Sequence, residues 1–74
     1  MPLITVNLIE NVFSDEEKVE MITKLTDTMV AIEGEAMRSV TWVKIHEVPE
    51  GHWGIGGTAL TAAMVHQMQK AGAA

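Results

Sequence analysis

Ile4, Val6 and Leu8 alternate with Leu3, Thr5, Asn7 and Ile9 at the start of the chain. A period of two with this much β-branched content predicts a strand over residues 3–9, one face of it fully apolar. Glu10, Asn11 and Val12 read as a connecting loop. The period then changes. Val19, Ile22, Leu25, Met29 and Ile32 recur at three- and four-residue steps, which predicts a helix with an apolar stripe. Lys18, Glu20, Lys24 and Asp27 fall largely outside that stripe. Ser14 opens the helix, and Glu17 three residues on completes a capping box. Asp15, Glu16 and Glu17 crowd the end where the helix dipole favours anions. Gly34 is placed to stop the helix at about Glu33.

Alternation returns from Ser39 to Val48, the predicted second strand. Thr41, Val43 and Ile45 would face the helix. Trp42, Lys44 and His46 would point to the other side, an aromatic, a cation and an imidazole in a row. Pro49-Glu50-Gly51 is turn chemistry. Gly51-His52-Trp53-Gly54-Ile55-Gly56-Gly57 packs four glycines into seven residues, as tight backbone packing in a hairpin would require. Thr61 can cap a short last helix from Ala62 to about Gln69, with Met64, Val65 and Met68 as its apolar side. Ala71 to Ala74 should fray. The predicted fold is α+β: a β-α-β unit with parallel strands and a right-handed connection, then a short hairpin and a small helix.

Composition bounds what such a chain can be. Seventy-four residues make a single domain, residues 1–74. A core this small seldom stands alone, and with no cysteine the disulfide route is closed. Self-association is the support that remains. A net charge of −5 with only 5 Lys and Arg argues against nucleic acid. No apolar run approaches the roughly 18 residues that span a bilayer, and the first residues lack a signal peptide's basic start. A soluble, cytoplasmic protein without membrane or nucleic-acid partners is expected. His46, His52 and His66 show no metal-ligand spacing, so no metal or cofactor is expected.

Pro2 is the first candidate for chemistry. A proline after Met1 permits removal of that methionine because its side chain is small, and removal would expose a secondary amine. Burial in an apolar site lowers an amine's pKa, and a neutral amine is a general base. By itself, Pro2 reads rather as an ordinary strand-start residue that needs no N–H, and terminal residues are usually idle.

Combination sharpens the reading. Pro2 before an apolar strand, Ser14-Asp15-Glu16-Glu17-Lys18, Ser39-Val40 and the Gly51–Gly57 segment stand in the order and near-spacing of the 4-oxalocrotonate tautomerase family, which residues 2 to 57 resemble. The resemblance implies a protomer that dimerises into a four-stranded sheet, with dimers assembling as a trimer into a homohexamer. It implies an isomerase whose amino-terminal proline, here Pro2, moves a proton between carbon and oxygen of a small enol or 2-oxo acid. Trp53 would line the pocket, with Ile55 close by in the same segment.

Departures from that family are as informative. Its usual members carry an arginine just before the helix start and another on the second strand. Here Asn11-Val12-Phe13 and Trp42 stand there, and Arg38 is the only arginine. A bidentate clamp for a dicarboxylate is therefore missing. Phe13 joins Trp53 as an expected apolar wall, and Lys44 and His46, on the Trp42 face, are the candidates to replace the lost charge. Strand charges also serve pairing across an interface, the other reading of both. Hydration, dehalogenation or decarboxylation of a small unsaturated acid, or a non-catalytic oligomeric binder, stay open as alternatives.

Overall fold

The computed structural model describes residues 1–72 and carries the elements in the expected order. Strand β1 (Leu3–Ile9) leads to helix α1 (Asp15–Glu33), a 3-10 helix (Glu35–Val40), strand β2 (Trp42–Val48), strands β3 (Trp53–Ile55) and β4 (Thr58–Leu60), and helix α2 (Ala62–Gly72). β1 and β2 pair in parallel and β3 and β4 form a separate antiparallel hairpin. The α+β class is as expected. Two backbone bonds at opposite ends of the parallel pair agree on one register: Trp42 N–H donates to the Pro2 carbonyl at 2.9 Å, and Glu10 N–H to the Val48 carbonyl at 2.8 Å. In a parallel ladder that register sets Trp42 opposite Leu3 and Lys44 opposite Thr5.

The chain divides into two compact units. The first comprises Met1–Val6 and Ser14–His46. Within it α1 begins as its sequence dictates: Ser14 Oγ accepts from Glu17 N–H at 3.1 Å, and Glu17 Oε1 accepts from Ser14 N–H at 2.9 Å. Two otherwise orphaned amides are satisfied reciprocally. Gly34, at φ 106°, ends the helix, its N–H reaching the Val30 carbonyl at 2.8 Å. The helix face that is covered differs from the predicted stripe. Val30 is buried and Lys18, Met21, Leu25 and Met29 are half-buried, whereas Val19, Ile22 and Ile32 are exposed. The apolar positions of α1 are therefore wider than the surface one chain covers.

The second strand begins at Trp42 and not at Ser39, because residues 35–40 are held in tighter local bonds. Met37 N–H donates to the Gly34 carbonyl at 3.1 Å and Thr41 N–H to the Arg38 carbonyl at 3.2 Å, the three-residue step of a 3-10 turn. Arg38 fastens this turn. Its Nε lies 2.7 Å from Glu35 Oε1 and its Nη1 2.8 Å from Asp27 Oδ1 on α1. Along β2 the predicted alternation holds: Val43 and Ile45 are half-buried, and Trp42, Lys44 and His46 are exposed.

The second unit comprises Asn7–Phe13 and the chain from Glu47 onward. Ile9, Val12, Leu60 and Ala62 form its buried cluster, with Phe13, Trp53 and Val65 packed against it. In the hairpin Trp53 pairs with Leu60 and Ile55 with Thr58. Gly56 and Gly57 form its two-residue turn, at φ 56° and 86°, the pair of positive angles that a twist-matched hairpin turn demands. Close packing does not explain these glycines. A Cβ on Gly56 or Gly57 would meet nothing within 4 Å, and on Gly54 only an ordinary contact with the Thr58 carbonyl at 4.0 Å. α2 is capped by Thr61, whose Oγ1 accepts from Met64 N–H at 3.3 Å. The helix runs to Gly72, beyond the predicted end at Gln69; Ala73 and Ala74 lie outside the described residues. Val65 packs inward while Met64 and Met68 stay exposed, so only part of its predicted apolar side is used.

Candidate active site

Pro2 sits one residue before β1, half-buried, with its carbonyl fixed by Trp42 N–H at 2.9 Å. A residue without an N–H fits a strand start, where no ladder donor is lost. The nitrogen of Pro2 is acylated by Met1 while Met1 is attached, and Met1 is itself 77% exposed. A tertiary amide has no basic lone pair and no proton to give. Removal of Met1 would convert it to a secondary amine at the same strand end.

Trp42, Lys44 and His46 project from the same strand pair, on its exposed face. Alternation along β2 puts all three on one side, and the register sets the first beside Leu3, which is likewise exposed. The Pro2 end of that face is thus apolar, and cationic character begins two residues further along. Arg38, the only arginine, is not on this face. Its guanidinium bonds both Glu35 oxygens, at 2.7 and 3.3 Å, and Asp27 at 2.8 Å. The hydrogen bonds from Arg38, and then its charge, hold the Glu35 carboxyl below the ordinary range. This arginine is a fastener between α1 and the following turn.

Phe13 and Trp53 come together in the second unit, both half-buried against the Ile9, Val12, Leu60 and Ala62 cluster. Ile55, two residues along β3, does not join them and is exposed.

A polar arrangement in the same unit went unread in the sequence. Asn11 adopts φ 69°, a conformation asparagine tolerates better than other residues with a side chain. Its Nδ2 donates to Glu50 Oε2 at 2.9 Å, and Ala62 N–H donates to Glu50 Oε1 at 2.6 Å. The bond from Ala62 and then that from Asn11 hold the Glu50 carboxyl below its ordinary range. His66 Nε2 lies 3.0 Å from the Val12 carbonyl. One carboxylate thus ties the exit of β1 to the start of α2. A lone Glu between Pro49 and Gly51 gives no sequence signal for this, since its partners lie 39 and 12 residues away. No group of three or more His, Cys, Asp or Glu among the described residues could hold a metal ion. No helix among them is long and apolar enough to cross a membrane.

Comparison with known proteins gives this arrangement its context. Residues 2–63 match the family profile described as tautomerase enzyme. A probable tautomerase of Ralstonia nicotianae is 46% identical over 63 residues, which cover 85% of this chain and 87% of that protein. The crystal structure of apo unfused 4-OT superposes with a TM-score of 0.69 at 32% identity, covering 86% of this chain and 98% of the other. A heterohexamer 4-oxalocrotonate tautomerase from Chloroflexus aurantiacus gives 0.69 at 28% identity, covering 85% and 95%. A 4-oxalocrotonate tautomerase isozyme from Methylibium petroleiphilum gives 0.69 at 25% identity, covering 90% and 98%. From the extent of the family match and the identity to its curated relative, the chain belongs to the tautomerase family.

Proposed function

We propose that the protein moves a proton between carbon and oxygen of a small enol or 2-oxo acid, with the Pro2 amine as acid and base once Met1 is removed. The observation that carries this reading is that the family match starts at residue 2, at a proline whose carbonyl is fixed into the sheet by Trp42. In the ketonising direction the neutral amine takes the proton of the enol hydroxyl. The carbonyl forms as the double bond shifts, and the protonated amine returns a proton to carbon. The amine is unchanged at the end, so no further reactant is needed. Such a base is most effective with a pKa near the working pH.

We extend the same reading to assembly. Among the described residues no side chain is fully buried, and Leu3, Val19, Ile22, Ile32, Trp42, Ile55, Met64 and Met68 are exposed. Single exposed apolar residues are ordinary, but so many on a short chain with unpaired strand edges favour self-association. A homohexamer built as a trimer of dimers accords with the heterohexameric relative. Sedimentation showing a stable 8.1 kDa species at micromolar concentration would rule this out.

A second reading, an oligomeric binder without catalysis, draws on Trp42 standing where the family's strand arginine is expected. Ketonisation of an aryl enolpyruvate, assayed on Met1-free protein beside Pro2→Ala, decides between them. Turnover that depends on Pro2 supports the enzyme; no turnover in either protein leaves the binder.

A further inference from the structure

An anionic substrate needs a cation on a chain whose net charge is −5. Five are present: Lys18, Lys24, Arg38, Lys44 and Lys70. Four belong to the unit that contains Pro2, and three of those are met by the chain's own carboxylates. Lys18 Nζ lies 3.6 Å from Asp15, Lys24 Nζ 2.7 Å from Glu20, and Arg38 bonds Asp27 and Glu35. Lys70 lies in the last turn of α2, in the other unit. Lys44 alone in the Pro2 unit makes no ion pair among the described residues.

Its place on the strand matters as much as its freedom. The Trp42–Pro2 bond fixes the register, so Lys44 lies two residues along β2 from the partner of Pro2, on the exposed face that Trp42 shares. Two strand residues span about 7 Å, which an extended lysine side chain covers. Between Lys44 and the Pro2 strand end, on the same face, stand Trp42 and Leu3, both exposed and apolar. We infer that Lys44 binds the carboxylate of the substrate, and that the substrate is a monocarboxylate with an apolar body. This inference rests on Pro2 as the reacting group. A second carboxylate would lie against Trp42 and Leu3, where no cation answers it and its hydration is impaired.

The test uses Met1-free protein with an aryl enolpyruvate and its uncharged methyl ester. Lys44→Gln should raise KM for the acid by roughly 10-fold, the worth of one charge-assisted hydrogen bond. The kcat should change little, KM for the ester should not move, and Lys44→Arg should restore most of the loss. Quenching of tryptophan fluorescence by 3-phenylpropionate, compared with its amide, reads binding without chemistry and should show the same dependence. If wild-type protein binds the acid through Lys44 but turns nothing over, Pro2 chemistry fails and the lysine assignment stands. If turnover depends on Pro2 while Lys44→Gln leaves the acid's KM unchanged, the lysine assignment fails and Pro2 stands. Equal effects on acid and ester, or a changed sedimentation coefficient, would make Lys44 an interface residue and overturn the inference.

Discussion

The backbone N–H of Trp42 donates to the carbonyl of Pro2 at 2.9 Å. One bond therefore does two things: it registers the parallel strands, and it fixes the residue proposed as the catalytic amine. The side chain at position 42 points to the exposed face, 58% exposed, so its identity can change without touching that bond.

Activity is expected to track removal of Met1. Protein that keeps Met1 carries an amide at Pro2 and should be inactive. Pro2→Ala, processed to a primary amine, should lose at least about 10²-fold in kcat/KM, the lower end of what a general acid–base group supplies. Intact mass and aryl enolpyruvate turnover measured on the same preparations check both. Equal rates with and without Met1 would take Pro2 out of the mechanism.

Substrate preference should lean away from dicarboxylates. The resemblance to 4-oxalocrotonate tautomerases leads one to expect arginines where Phe13 and Trp42 stand in this chain. An aryl enolpyruvate should be used in preference to a dicarboxylate dienol. Trp42→Arg should then raise kcat/KM for the dicarboxylate by roughly 10-fold relative to the aryl acid, the value of one charged hydrogen bond. A wild-type protein that already favours the dicarboxylate contradicts the prediction.

Ser14→Ala removes one half of a reciprocal cap whose two bonds measure 3.1 and 2.9 Å. A loss of about 1 kcal/mol is expected, read as a lower urea midpoint at unchanged m-value. A Ser14→Asp replacement should retain most of the stability, since aspartate also accepts from first-turn amides.

Glu50 should make the start of α2 sensitive to acid. Its folded-state pKa lies below the ordinary 4.5, first through Ala62 N–H and then through Asn11. A depressed carboxylate stabilises the fold above its unfolded pKa, and that contribution disappears as pH falls through the folded value. Amide exchange at Ala62, corrected for intrinsic rates, should therefore accelerate as pH falls below about 4.5. Glu50→Gln should flatten that dependence. An unchanged slope in the variant would mean that the acid sensitivity lies elsewhere.

Local order along the chain was legible because its causes are local. Alternation at residues 3–9, the Ser14-to-Glu17 cap and the stop at Gly34 depend on neighbours within a turn or two, and the structure repeats them. The Ser39–Val48 strand was misread at its start. Arg38 can reach back to Asp27, 11 residues away, and that contact favours a tight turn over extension. Which side of α1 is covered was also hidden, because apolar positions surround more of that helix than a single chain can bury.

Sequence by itself determined the element order, the parallel β-α-β unit and the presence of a proline at the strand start, since periodicity, caps and crossover handedness all act through the backbone. The family resemblance added the role proposed for an amine at Pro2. Only the tertiary structure decided that Arg38 is spent on Asp27 and Glu35, that Glu50 joins Asn11 to Ala62, and that Lys44 makes no ion pair among the described residues. Those outcomes depend on pairings between residues distant in the chain, where charge finds charge only after the backbone has set the distance.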